Sequence, residues 1–148
     1  GYRIKKGGSI LKDYIEEKGL EFIFDTDVEE KLINCDKSEI ERCIINLVSN
    51  AVKFTPKGGL IEVIVSDLDD KVKISVKDNG IGISEENKRL IFDRFNQVVD
   101  KNAESKGGSG LGLTICKQLI TLHGGDIYVE SEFGKGSEFI IILPVSCD

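Results

Sequence analysis

A chain of 148 residues with 40% hydrophobic and 31% charged side chains is the size of one domain and can bury an ordinary core. Its formal net charge of −6 excludes a general nucleic-acid or membrane-surface binder, because both need an excess of Lys and Arg to meet phosphates. No apolar run approaches the roughly 20 residues that cross a bilayer, no signal-peptide pattern opens the sequence, and Cys35, Cys43, Cys116 and Cys147 form no C-x-x-C pair. Reduced thiols in a cytoplasmic chain without direct membrane contact are the expectation.

The first eight residues, Gly1 to Gly8, are basic and without period, and read as a flexible leader ahead of a domain over 9–146. Ser9 caps a short helix through Lys18 that Gly19 stops, and Leu20 to Asp25 then reads as a strand. Asp36-Lys-Ser-Glu39 resembles a capping box and opens a long helix, which Pro56 ends by disfavouring helix at Thr55.

Two strands follow, Gly59 to Asp67 and Lys71 to Asp78, joined by the turn Leu68-Asp-Asp70. In the second, Val72, Ile74 and Val76 alternate with Lys71, Lys73, Ser75 and Lys77, so one face is buried and the other solvated. Ser84 starts a short helix toward Phe92. Residues Asn96 to Ser109, polar and rich in Lys and Gly, read as a mobile loop. Gly110 to His123 is an apolar helix, and Asp126 to Glu132 with Ser137 to Val145 form a closing hairpin around Phe133-Gly-Lys-Gly136. Strands joined mainly by hairpins predict a two-layer α/β sandwich: a mixed, mostly antiparallel sheet packed on about three helices.

Three segments carry chemistry. On the long helix Ile40, Ile44, Leu47, Val48 and Ala51 share one face with Cys43 at its edge, while Asn46, Asn50 and Lys53, at i, i+4 and i+7, form a polar stripe beside it. An amide oxygen there suits Mg²⁺, a hard cation, and Lys53 suits a phosphate, although solvated helix surface explains the same residues. Asp78-Asn-Gly-Ile-Gly82 places a carboxylate at a strand end before two glycines that permit close backbone approach. Such a carboxylate accepts from the amino group of adenine and opposes the carbonyl of guanine; a simple Asx turn is the plainer alternative. Gly107-Gly-Ser-Gly-Leu-Gly-Leu113 runs into a helix N-terminus, an arrangement that suits phosphate, and it matches neither the P-loop nor the dinucleotide pattern.

In this order and spacing the segments resemble the ATP-binding catalytic domain of sensor histidine kinases. Asn46 to Pro56 is similar to their asparagine box, Asp78 to Gly82 to the first glycine box, Ile91-Phe-Asp-Arg-Phe95 to the phenylalanine box, Gly108 to Leu113 to the second glycine box and Gly134-Lys-Gly-Ser137 to the last. Leu122-His-Gly-Gly125 is a further likeness, and the resemblance runs from about Ser9 to Pro144.

The resemblance implies a Bergerat-type fold with an ATP lid over 96–109, Mg-ATP as ligand, and Asn50 as metal ligand with Asn46 nearby. It further implies Lys53 on phosphate, Phe54, Ile83 and Phe95 bordering the pocket, Asp78 on adenine, and Gly80, Gly82, Gly108, Ser109, Gly110, Leu111, Gly112 and Leu113 along the nucleotide. Arg94 before the lid and Lys106 within it could reach the γ-phosphate when the lid closes, a solvated role being the alternative, with Gln97 and Lys101 as weaker candidates; Asn50, Lys53 and Arg94 are the expected catalytic group.

Hydrolytic relatives carry a glutamate where this chain has Asn46, and an amide removes no proton at neutral pH. Transfer to an imidazole, itself the nucleophile, needs no such base. The implied partners are a dimerisation and histidine-phosphotransfer domain and, downstream, a response-regulator receiver domain, with the isolated domain a monomer. The sole histidine, His123, sits at a helix end where it satisfies terminal carbonyls, so the chain is expected to bind ATP without phosphorylating itself. A serine-directed kinase of the anti-sigma-factor type and a nucleotide-sensing scaffold are the alternative readings.

Overall fold

The computed structural model describes residues 2–5, 9–26, 30–33, 36–85 and 111–145. Among them, three helices, α1 (Ser9–Glu17), α2 (Lys37–Phe54) and α3 (Leu111–Leu122), accompany seven strands. The strands are β1 (Tyr2–Lys5), β2 (Glu21–Thr26), β3 (Glu30–Ile33), β4 (Leu60–Asp67), β5 (Lys71–Asp78), β6 (Asp126–Glu132) and β7 (Gly136–Pro144). The main sheet has five strands in the order β2-β4-β5-β7-β6. β2 runs parallel to β4 and the other neighbours are antiparallel, so the mixed α/β sandwich expected from the hairpins is the observed fold.

Two strands were not anticipated. Tyr2–Lys5, within the segment read as a leader, pairs antiparallel with β3 as a separate two-stranded sheet. Neither strand shows an alternation long enough to announce itself, and their pairing is non-local. The helix expected from Ser84 to Phe92 lies outside the described residues beyond Glu85, as do Cys35, Cys147 and the lid 96–109.

Alternation decides which face of each strand the helices cover. Val72, Ile74 and Val76 of β5 are buried, as are Phe139, Ile141 and Leu143 of β7 and Ile61, Val63 and Val65 of β4. Against them pack Ile15 of α1, Ile40, Leu47, Val48 and Ala51 of α2, and Leu113, Cys116 and Ile120 of α3. Each such aliphatic side chain contributes about 1.5–3 kcal/mol by leaving water.

α2 sits with Cys43 fully buried and Ile44 only partly so. The wheel placed Cys43 at the edge of a face turned to the sheet. The buried arc is wider than that because α3 lies alongside α2 and covers the Cys43 flank.

Both helix ends follow local rules. Asp36 is the N-cap of α2 and its Oδ1 accepts from Glu39 N–H at 3.0 Å. The reciprocal half of a capping box is supplied from elsewhere: Asp36 N–H donates to Nε2 of His123 at 3.1 Å, while Nδ1 of the same ring lies 2.7 Å from Leu119 O. One imidazole thus closes the C-terminus of α3 and the N-terminus of α2. At the other end Thr55 is extended before Pro56, as a residue preceding proline prefers.

Candidate functional site

Asp78 is the fourth residue of the series Val72, Ile74, Val76, Asp78, so it occupies the helix-facing side of β5 at the point where apolar side chains stop. It is 4% exposed. Two neighbours compensate the burial. Gly80 N–H donates to Oδ1 at 2.9 Å and Ser137 Oγ donates to Oδ2 at 2.9 Å, while the Thr55 hydroxyl donates to Ala51 O at 2.7 Å. Burial raises the Asp78 pKa above the ordinary 3.8, and these donors oppose the rise. The result is a carboxylate of fixed orientation at the end of the sheet, beside the C-terminus of α2.

The loop after Asp78 is bound directly to that helix. Ile81 N–H donates to Phe54 O at 3.2 Å, and a Cβ on Gly80 would overlap the same carbonyl. On its other side Gly134 N–H donates to Ile81 O at 2.6 Å, and a Cβ on Gly82, at φ +75, would overlap Glu132 O. Ligand approach was the expected reason for glycine at 80 and 82. The approach observed is that of the chain's own backbone on both sides, which clamps the loop between α2 and the β6–β7 turn.

Asn46, Asn50 and Lys53 are all half-buried, as residues at a cleft rim are. Successive members one turn apart stand about 6 Å from one another at Cβ. Asn46 Nδ2 donates to Cys116 Sγ at 3.7 Å. The Asn50 amide has no hydrogen-bond partner among the described residues. Lys53 in the last turn also suits the negative helix end. Because the Asp78 loop docks on Phe54, the carboxylate and the Asn50–Lys53 stripe belong to one locus.

Ile83 and Leu113 are 8% and 5% exposed and belong to the core. Leu111 and Gly112 form the first turn of α3. Arg94, Phe95, Gln97, Lys101, Lys106, Gly108, Ser109 and Gly110 lie outside the described residues. Conversely, Thr55, Cys116 and Ser137 were not singled out as site residues. Ser137 had a signal, its place in the last glycine box, but its link to Asp78 depends on the β5–β7 register, in which the two are direct partners.

A buried strand-end carboxylate facing a helix that carries an amide and lysine stripe, with glycine-rich turns between, defines a nucleotide-binding α/β domain. The chain belongs to the histidine kinase-, DNA gyrase B- and HSP90-like ATPase family, whose model matches residues 35–146. It is 37% identical over 141 residues to the sensor histidine kinase WalK of Bacillus subtilis, covering 92% of this chain and 23% of that protein. The chain therefore spans less than a quarter of this curated relative. Among solved structures, the catalytic domain of histidine kinase ThkA superposes with a TM-score of 0.80 at 34% identity, covering 93% of this chain and 88% of that one. ThkA in complex with the response regulator protein TrrA matches with a TM-score of 0.75 at 29% identity, over 99% of this chain and 42% of that one. No helix among the described residues is long and apolar enough to cross a membrane.

Proposed function

We propose that this chain is the catalytic domain of a sensor histidine kinase, binding Mg-ATP and presenting the γ-phosphate to a histidine on a separate dimerisation domain. The observation that carries this reading is the docking of the Asp78 loop on the end of α2 through Ile81 and Phe54, which sets that loop against the helix bearing Asn50 and Lys53.

Asp78 accepts from the adenine amino group, and its fixed oxygens exclude a purine that presents a carbonyl there. Asn50, with Asn46 nearby one turn earlier, would supply an oxygen ligand to Mg²⁺, which when bound neutralises phosphate charge. Lys53 holds a phosphate, and Arg94 and Lys106 complete the charge balance at the lid. The imidazole nitrogen of the acceptor attacks the γ-phosphorus, the bond to the β-phosphate bridging oxygen breaks, and ADP leaves. Positioning and charge neutralisation are what this transfer asks of the domain.

The engagement of Asn46 with Cys116 supports a kinase over a hydrolase, since the position holds an amide tied to sulfur and no base. Similarity to WalK and to the ThkA–TrrA complex supports a response-regulator receiver domain as the downstream partner. Use of ATP supports a cytoplasmic location.

Mixing the chain with a purified dimerisation domain and γ-labelled ATP tests the reading. Label on the partner that is lost in acid and kept in base supports phosphohistidine. Label that survives acid assigns the serine-directed class.

A further inference from the structure

We propose that Cys116 is a positioning residue for the nucleotide site: its sulfur holds the Asn46 amide by the nitrogen, so that Oδ1 is the end offered to the cation side of the site. The inference rests on the magnesium reading of Asn46 and Asn50 and adds to it a residue from a different helix.

An asparagine side chain ends in a donor and an acceptor of nearly equal size, and rotation by half a turn exchanges them. At a cation site only one orientation is useful, because the amide nitrogen offers hydrogens to a positive charge. Something must hold the amide. Asn50 has no such hold among the described residues, but Asn46 does: its Nδ2 is 3.7 Å from Cys116 Sγ.

The sulfur is itself immobilised. Cys43 and Cys116 face each other across the α2–α3 seam, both fully buried. The Cys116 thiol donates to Cys43 O at 3.7 Å, and the Cys43 thiol lies 4.0 Å from Cys116 O. Each thiol hydrogen is thereby spent on the opposite backbone, and the lone pairs of Cys116 remain to accept from Asn46. Reversing the amide would set Oδ1 against the sulfur lone pairs and lose the bond. The planar amide then leaves Oδ1 as the end turned away from α3.

Sulfur suits the task because its long reach accepts a donor across a helix–helix gap that the shorter hydroxyl of serine would span poorly. Cys116→Ala removes the acceptor while keeping the seam packed apart from one atom. Both orientations of Asn46 then become available.

The test is a double-mutant cycle on nucleotide affinity, measured by calorimetry with ATP in the presence of magnesium and again in EDTA. C116A is expected to cut the magnesium-dependent gain in affinity by about three- to tenfold, the worth of one hydrogen bond, with little change in EDTA. N46A is expected to cut it as well, and C116A added to N46A to cut it no further. Equal losses in magnesium and EDTA, an unchanged gain in C116A, or additive effects in the double variant would each overturn the proposal. A wild-type chain whose affinity ignores magnesium overturns the magnesium reading as well, whereas a wild-type gain that survives C116A overturns only this one. In the wild-type protein the Asn46 side-chain amide hydrogens should show nuclear Overhauser contacts to the Cys116 β-protons. Their absence also refutes it.

Discussion

Ser137 and Asp78 are direct partners in the β5–β7 register, and the Ser137 hydroxyl donates to Oδ2 of Asp78 at 2.9 Å. A serine 59 residues along the chain thus orients the carboxylate proposed to read the base. Both lie on the helix-facing side of the sheet, where neither is solvated, so each is the other's substitute for water.

Ser137→Ala leaves Oδ2 without that donor. The expected cost is about 1–3 kcal/mol of stability, with a several-fold loss of ATP affinity, whereas Ser137→Thr keeps both. Denaturant unfolding and calorimetry on the two variants check this, and equal behaviour of Ala and Thr would count against a hydrogen-bonding role.

Asp78→Asn should weaken ATP binding about 10- to 100-fold, the value of a hydrogen bond to a charged acceptor. Its stability carries a separate pH signature. Because the folded pKa is raised above 3.8, the fold favours the protonated acid; that contribution is complete below the ordinary value and is lost as pH rises through the raised one. The asparagine variant lacks this step, so its melting temperature should gain on wild type across that window. A difference that stays flat with pH contradicts the assignment.

Gly80→Ala and Gly134→Ala are expected to differ sharply although both remove a glycine. At Gly80 the new Cβ meets the Phe54 carbonyl, which the Ile81 hydrogen bond holds in place. Overpacking against backbone costs about 1–3 kcal/mol or more, and displacement of the loop takes ATP affinity with it. At Gly134 the space is open and only φ +89 is strained, costing about 1–2 kcal/mol and leaving binding intact. Paired melting and binding measurements separate the two.

His123→Ala removes the acceptor for Asp36 N–H and the side-chain partner of Leu119 O together, leaving that carbonyl only the backbone N–H of residue 123. About 1–2 kcal/mol of stability should be lost, and hydrogen exchange should rise at the start of α2 and the end of α3 in the same experiment. Increased exchange at one end alone would mean that the imidazole does not couple them.

Much of this was legible along the chain because it depends on near neighbours. The period of α2, the cap at Asp36, the stop before Pro56 and the β5 alternation all follow from residues a few positions apart, and the ordered motifs pointed to the family. β1 and β3 escaped because their pairing partner is remote and each is short. That Gly80 and Gly82 lie against the Phe54 and Glu132 carbonyls could not be read from the sequence for a related reason. Which backbone approaches a glycine is a matter of packing, and composition says only that something does.

Sequence alone determined that a carboxylate ends one strand and that two asparagines and a lysine line one side of a helix. Only the tertiary structure decided that Ser137 faces Asp78, that Phe54 holds the loop between them, and that Cys116 meets Asn46. Local periodicity is a property of consecutive backbone dihedrals and can be read along the chain, whereas these contacts exist because strand register and helix packing bring together residues that are distant in sequence.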